Sequence, residues 1–275
     1  MITRTVAAPD SVIEGTWVLG FNQKQNGSIL HAGARALLIP SPLTRALSSS
    51  QGRIAAQTLM FMGVSEKLMN YAALRPYAIM EVIRRHFPAS IEHPVILDPT
   101  TGYGAEYIWL AEEFPQAEFI EMDRPDTIQN KVNRLKDFRL PKNLKFEGAD
   151  LASRPLDEVL QGRRIDMMVV LGTYAQAKEF GSLLLYLRSI LPAGSLVIVP
   201  FPFKPGVIEM ANMNAIFRRF AAPPAGAVQN KAEAEDIFHR AGYRDITAYT
   251  FAELARDLGK PEPFDIELIA VGRIS

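Results

Sequence analysis

Residues 95–123 constrain the fold of this chain more than any other stretch of the sequence. The stretch opens with an apolar run that ends in Asp98, and a turn containing Gly102 and Gly104 follows. Residues 105–113 then have the composition of a helix. This order predicts a strand, a glycine turn and a helix.

Acidic residues follow two successive strands of this predicted unit. A second apolar run, residues 117–120, leads into Glu121 and Asp123. Because glycine has no Cβ, the backbone at Gly102 can approach a ligand closely. A carboxylate after the next strand can accept hydrogen bonds from both hydroxyls of a ribose. The pattern therefore predicts a site for a nucleoside.

The rest of the chain alternates between strand and helix patterns. Residues 165–171 are continuously apolar, which is typical of a central parallel strand covered on both faces. Over residues 94–275 we predict seven strands alternating with helices, which indicates an α/β fold with a doubly wound, mostly parallel sheet. The last two predicted strands, 244–249 and 264–274, have a short helical segment between them, so we expect an antiparallel edge there.

The N-terminal third has a different character. Glycine and proline interrupt residues 1–50, where no element pattern is clear, and helical spacing begins after residue 51. We expect Pro76 to kink or restart the helix in which it lies. Two parts are therefore predicted, a helical segment of residues 1–93 that caps the substrate as a lid, and a ligand-binding domain of residues 94–275.

Composition argues against several classes of function. The 30 basic and 30 acidic residues leave no net charge, so nothing indicates binding to nucleic acid or to a membrane surface. The absence of cysteine rules out a disulfide framework and a cysteine nucleophile, and the four histidines are dispersed, which predicts no metal site. No window approaches the about 20 apolar residues of a membrane-spanning helix, and we expect a cytoplasmic protein.

The glycine turn does not fit the common phosphate-binding motifs. The dinucleotide fingerprint requires a third glycine, but Tyr107 stands at that position. A P-loop requires Gly-Lys-Ser/Thr after the strand, and the sequence has none there. A nicotinamide-dependent oxidoreductase is therefore disfavoured, and a nucleoside without a phosphate chain is the preferred ligand.

Three motifs resemble those of class I S-adenosylmethionine-dependent methyltransferases. Residues 98–104, Asp-Pro-Thr-Thr-Gly-Tyr-Gly, are similar to motif I of these enzymes. Residues 121–125, Glu-Met-Asp-Arg-Pro, followed by Lys131, resemble the signature of the leucine carboxyl methyltransferase group, which includes bacterial O-methyltransferases of polyketide type. Residues 148–151, Gly-Ala-Asp-Leu, match the adenine-contacting motif of that group. The resemblance implies S-adenosyl-L-methionine as cofactor and methyl transfer as the reaction.

The resemblance also implies roles for single residues. Asp123, with Glu121 beside it, would accept from the ribose hydroxyls, and Asp150 would accept from the adenine amine. Arg75 would pair with the cofactor carboxylate, a role that suits a guanidinium fork. The full set of implied cofactor-binding residues is Arg75, Asp98, Thr100, Gly102, Gly104, Glu121, Asp123, Asp150, Leu151 and Leu171.

The methyl acceptor is expected beyond the carboxyl ends of the strands. The candidate acceptor-binding residues are Arg53, Thr173, Tyr174, Gln176, Phe201 and Phe203. An acceptor carboxylate needs no base at pH 7, whereas a hydroxyl does, and the sequence shows no evident base. We therefore expect O-methylation of a carboxylate or hydroxyl on a small molecule, and a homodimer is one hypothesis for the assembly.

Two departures from the family pattern keep a second class of function open. Thr100 stands where motif I usually has its first glycine, and residues 171–174 lack the glutamate that protein-carboxylate methylating members carry after the fourth strand. A methyltransferase-like binding or regulatory protein is thus the alternative. Asp98 could also be a helix cap, Asp150 a turn residue and Arg75 a surface charge.

Overall fold

A seven-stranded sheet with helices on both faces organises the computed structural model, which describes residues 26–61, 66–171, 180–213 and 227–275. The strands are β1 (Val95–Asp98), β2 (Glu118–Asp123), β3 (Leu144–Gly148), β4 (Met167–Val169), β5 (Leu196–Pro202), β6 (Tyr243–Thr250) and β7 (Glu267–Ile274). The helices before the sheet are α1 (Asn26–Leu38), α2 (Pro42–Leu47), α3 (Ser50–Phe61) and α4 (Glu66–Arg85). Those that follow β1 are α5 (Glu106–Glu113), α6 (Pro125–Leu135), α7 (Leu156–Leu160), α8 (Phe180–Ile190), α9 (Lys204–Met213), α10 (Lys231–Arg240) and α11 (Phe251–Asp257).

The strand order is β3-β2-β1-β4-β5-β7-β6, and every pairing is parallel except those of β7. The predicted α/β class and mostly parallel sheet are therefore confirmed. The antiparallel strand, however, is not at the edge, because β7 lies between β5 and β6. After α11 the chain re-enters the sheet at the edge where β5 and β6 end, with Glu267 opposite Pro202, so β7 must run in the reverse direction.

The core has two layers, one on each face of the sheet. Residues of β4 alternate between them: Met167 and Val169 pack with α4 and α5, whereas Met168 packs with α8 and α10. All three side chains are fully buried, as the apolar run predicted for a central strand. The strand itself is shorter than the predicted residues 165–171.

The N-terminal helices include two that the sequence did not make clear. Ser41 is the N-cap of helix α2, and its hydroxyl accepts from the Thr44 amide at 3.1 Å, while Pro42 is the first residue of the helix. Helix α4 is not restarted at Pro76 but continues through it to Arg85. Within the described residues, none of the helices combines the length and apolar character that crossing a bilayer requires.

One predicted acceptor-binding residue belongs to the core instead. The ring of Phe201 is 0% exposed, and its centroid lies 4.2 Å from that of Phe180 and 6.1 Å from that of Phe238. The assignment was wrong because β5 extends to Pro202, so Phe201 still points into the layer beneath α8 and α10. Phe203, just after the strand, is half-buried, and its amide donates to the Ile266 carbonyl at 2.9 Å.

Candidate functional site

The glycine turn after β1 is tied to the end of β2. Gly102 has a φ of 54°, in the left-handed region where glycine is favoured. Its amide donates to Oδ2 of Asp123 at 2.8 Å, and the amide of Thr101 donates to the Met122 carbonyl at 3.0 Å. Oδ1 of Asp123 accepts from the Arg124 amide at 2.7 Å. Burial raises the pKa of Asp123, and these amide donors act in the opposite direction.

Three acids meet at the carboxyl ends of β1, β2 and β3. Asp98 ends β1, Asp123 ends β2, and Asp150 follows β3. The strands are neighbours, and the Ala149 amide donates to the Asp123 carbonyl at 2.8 Å. Asp150 is exposed, and its Oδ1 accepts from the Ala152 amide at 3.1 Å, while Leu151 is half-buried. All three acidic residues therefore lie at the same end of the sheet, where the parallel strands have their carboxyl ends.

Asp98 is 2% exposed, and Thr100 is its partner. Oδ1 of Asp98 accepts from the Thr100 amide at 2.8 Å and from its hydroxyl at 3.3 Å. Burial raises the pKa of Asp98 well above its ordinary value, although the Thr100 amide opposes the shift. Threonine in place of the usual glycine therefore adds a hydrogen bond that closes the start of the turn.

A buried ion pair supports the turn from below. Nζ of Lys131, on α6, lies 2.5 Å from Oε2 of Glu121, and the two side chains are 0% and 1% exposed. The ammonium also donates to the Thr101 hydroxyl at 3.4 Å. Burial raises the pKa of Glu121, and Lys131 opposes that shift. The structure thus places Glu121 beneath the turn. In the sequence, this pair appears as the motif of residues 121–125 followed by Lys131.

A second ion pair, which sequence reasoning missed, lies on the turn. Glu106 is the first residue of α5, and its Oε1 accepts from Nη1 of Arg35 on α1 at 2.7 Å. A Cβ added at Gly104 would collide with Oε2 of Glu106, so the carboxylate rests against the glycine backbone. Burial acts to raise the pKa of Glu106, but Arg35 and other cations hold it below its ordinary value. The sequence feature that could have indicated this pair is the position of Glu106 among the otherwise apolar buried residues of α5.

Arg75 lies at the same edge of the sheet, on the side of β4 and β7. Its Nε donates to Glu267 at 2.9 Å, and its Nη2 donates to the Leu171 carbonyl at 3.2 Å. Burial acts to lower the pKa of Arg75, but Glu267 and Tyr71 raise it above its ordinary value. Arg75 is therefore not an isolated surface charge, because two of its nitrogens are held by the protein.

The remaining predicted residues do not join this group. Nη1 of Arg53 donates to the Ser48 hydroxyl at 2.8 Å and to the Ser48 carbonyl at 3.4 Å, so it satisfies the end of α2. Its assignment to the acceptor stays a prediction. Thr173, Tyr174 and Gln176 lie outside the described residues.

The N-terminal helices cover the glycine turn. Helices α1 and α2 leave a cavity of about 10 Å³ above it, lined by Ala32, Arg35, Thr44, Leu47, Tyr103 and Ala105. Arg134 of α6 donates to the Leu47 carbonyl at 3.1 Å and lies 4.9 Å from the centroid of the Tyr103 ring. A separate cleft of about 440 Å³ lies between α4 and the end of α1, lined by Leu38, Ile39, Pro40, Met69, Asn70, Ala73, Leu74, Tyr77, Lys260 and Pro261.

We predict that Lys131→Met lowers the free energy of unfolding by about 3–5 kcal/mol, because it leaves the Glu121 carboxylate buried without its counter-ion. Urea denaturation of the variant measures this loss. Lys131→Met/Glu121→Gln should recover most of it. Lys145→Met is the matched control, since the Lys145–Glu118 pair is largely exposed and worth about 0–1 kcal/mol. Equal losses for the two lysine variants would contradict the account.

A second prediction concerns pH. Because the pKa of Asp98 is raised above the about 3.9 of an unfolded chain, its stabilising contribution is present below about pH 4 and is lost as the pH rises through the folded-state pKa. Asp98→Asn stays neutral throughout. The variant should therefore become more stable relative to the original protein between pH 4 and pH 7, measured by urea denaturation. A difference that does not vary with pH would contradict this.

Comparison with solved structures identifies the fold. Human N-acetylserotonin methyltransferase, solved in complex with SAM, matches with a TM-score of 0.51 and 13% sequence identity, over 87% of this chain and 58% of that chain. An O-methyltransferase family protein from Burkholderia thailandensis matches with 0.51 and 13%, over 91% and 72% of the two chains. The CurJ carbon methyltransferase matches with 0.52 and 13%, over 91% and 67%.

These likenesses are structural. No protein-family model and no curated protein sequence matches the chain. The chain also spans little more than half the length of the human enzyme, 58%. Identities of 13–14% with structures at TM-scores of 0.50–0.52 establish a shared fold. The chain has the seven-stranded α/β fold of class I S-adenosylmethionine-dependent methyltransferases.

Proposed function

We propose that this protein is an S-adenosylmethionine-dependent methyltransferase that methylates an oxygen atom, carboxylate or hydroxyl, of a small molecule. The observation that carries the proposal is the group of acceptor oxygens at the glycine turn. The carboxyl groups of Glu106, Asp98 and Asp123 surround the turn and the start of α5. Such oxygens can accept hydrogen bonds from the hydroxyl and amino groups of a nucleoside, whereas a phosphate needs donors.

The turn fits the nucleoside half of this cofactor. Gly102 lets the backbone approach a ligand, and Asp123 lies directly beside it at the end of β2. A carboxylate in that position can accept from both ribose hydroxyls. Asp150, exposed at the end of the neighbouring strand, would accept from the adenine amine, and Leu151 would pack on the ring.

Catalysis by this chain would consist of positioning and exclusion of water. When bound, the sulfonium supplies a methyl group, whose bond to sulfur breaks as an acceptor lone pair forms the new bond, leaving a neutral thioether. Helices α1 and α2 lie over the turn and would shield this exchange from solvent. Aligned reactants recover about 7–11 kcal/mol of the barrier without a covalent intermediate.

We assign the acceptor to the cleft between α4 and the end of α1. Its lining is mostly apolar, and Lys260 at its rim lies 5.0 Å from the centroid of the Tyr77 ring. An apolar molecule with a carboxylate would match such a lining, and an ionised carboxylate can accept a methyl group without a base. Proteins with this fold include both an O-methyltransferase family protein and a carbon methyltransferase. We propose oxygen as the acceptor atom because an acceptor carboxylate needs no base.

One observation favours a second candidate, a methyltransferase-like protein that binds a ligand for regulation. Helices α1 and α2 leave about 10 Å³ above the turn, and the Arg35–Glu106 pair closes it. If α1 and α2 stayed over the turn, the protein would bind the nucleoside weakly, and binding would serve regulation instead of catalysis. Turnover with a panel of carboxylic acids separates the two candidates, since a regulatory protein would produce no S-adenosylhomocysteine.

The proposed cofactor is tested by thermal unfolding with added ligand. S-adenosylmethionine or S-adenosylhomocysteine at 100 times its dissociation constant should add about 2.7 kcal/mol of stability, and NAD should add none. Asp123→Asn should weaken binding of S-adenosylhomocysteine about 10–100-fold, because it removes a charged acceptor. Asp126→Asn, one turn further along, is the control and should bind normally. Stabilisation by NAD alone would overturn the assignment.

A further inference from the structure

We propose that Arg35 and Glu106 together bind the amino-acid end of the cofactor. Glu106 would pair with the ammonium group of the cofactor, and Arg35 would pair with the carboxylate of the cofactor. This inference rests on the proposed function and refines it. It also moves the carboxylate-binding role from Arg75, which the sequence resemblance implied, to an arginine on the lid helix α1.

Glu106 lies where the amino-acid end of the cofactor would come closest to the turn. Its Oε2 rests against the backbone of Gly104, on the face of the turn that a Cβ would fill. The carboxylate is therefore beside the backbone to which a ligand would come closest. With an exposed side-chain fraction of 6%, and with Arg35 holding its pKa below the ordinary value, Glu106 is ionised and shielded from water. Such a group needs a cation as partner.

The two charges of the Arg35–Glu106 pair are opposite to the two charges of an α-amino acid. Arg35 and Glu106 are 2.7 Å apart and satisfy each other. A ligand that carries both an ammonium and a carboxylate could replace each partner with its own opposite charge, so neither buried group would lose a counter-ion. A ligand with one charge would leave the other group unpaired, which is costly in a buried site.

Arg75 is less suited to this role. Its Nε donates to Glu267 and its Nη2 to the Leu171 carbonyl, so two nitrogens of the guanidinium are already engaged, at the start of β7 and just after β4. Arg35, by contrast, lines the small cavity above the turn together with Tyr103 and Ala105. The arginine on α1 is thus the one that reaches the glycine turn.

The same pair would couple binding to movement of the N-terminal helices. The cavity above the turn, about 10 Å³, has room for about one water molecule. The amino-acid end can therefore enter only when α1 moves and the Arg35–Glu106 contact opens. Once Arg35 holds the ligand carboxylate, α1 would be drawn back over the site.

The test compares two ligands that share the nucleoside and the thioether. S-adenosylhomocysteine carries the amino-acid end, and 5′-methylthioadenosine lacks it. We expect the original protein to bind S-adenosylhomocysteine at least about 10-fold more tightly by calorimetry, given the strength of hydrogen bonds to charged groups. In Arg35→Gln/Glu106→Gln, the affinity for S-adenosylhomocysteine should fall about 10–100-fold, and that for 5′-methylthioadenosine should change less than about twofold.

Two controls accompany the double variant. Arg53→Gln removes an arginine of the same N-terminal segment that caps α2, and it should alter neither affinity. The double variant removes both buried charges at once, so it leaves no unpaired ion that would unfold the protein. Thermal unfolding confirms that it is folded, and the comparison of the two ligands on the original protein requires no variant.

The outcomes separate this inference from the proposed function. If the original protein binds neither ligand, the proposed cofactor is wrong, and the inference falls with it. If it binds both ligands equally well, the nucleoside site stands and the inference alone is overturned. The inference is also overturned if the double variant weakens both ligands alike, or leaves the affinity for S-adenosylhomocysteine unchanged.

Discussion

The conformation of the turn after β1 is the constraint on which the site depends. Gly102 adopts a left-handed backbone, and this is maintained from the neighbouring strand, because Asp123 accepts from its amide. Beneath the turn, Lys131 is buried between Glu121 and the Thr101 hydroxyl. A turn held at both its amide and its side chain presents its outer face in a fixed shape, which is the preorganisation that a ligand site requires.

The charges around the turn decide which ligand class is compatible with that shape. In many nucleotide-binding α/β folds the helix after the turn presents free amides to a phosphate. Here the first residue of α5 is Glu106, which is ionised and paired with Arg35. The start of this helix therefore carries a neutral ion pair, in which Glu106 places carboxylate oxygens beside the turn.

Much of the fold followed from local patterns, because strand and helix periodicity is short-range. The runs that became β1, β2 and β5 were legible, and so was the buried β4. Burial of Phe201 and the central place of β7 were not, because both depend on how far β5 extends and where the chain re-enters the sheet. Local spacing does not contain that information.

Part of the site could be predicted from the sequence because some of its residues lie in short, local motifs. Asp98, Gly102 and Asp123 occur in short motifs, and the structure brings them to one edge. The Arg35–Glu106 pair joins residues 71 positions apart, and the segment around Arg35 had no readable pattern. Likewise, nothing local distinguishes Arg53, which caps α2, from an arginine that faces a ligand. Contacts across the chain decide such roles.

The most direct test of the central claim is a crystal structure of the protein grown with S-adenosylhomocysteine. The account predicts that both ribose hydroxyls lie within hydrogen-bonding distance of the Asp123 carboxylate, with the homocysteine chain along Gly102 and Gly104. Ligand density at any other place on the molecule, with the Asp123 carboxylate still bonded to backbone amides alone, would contradict it.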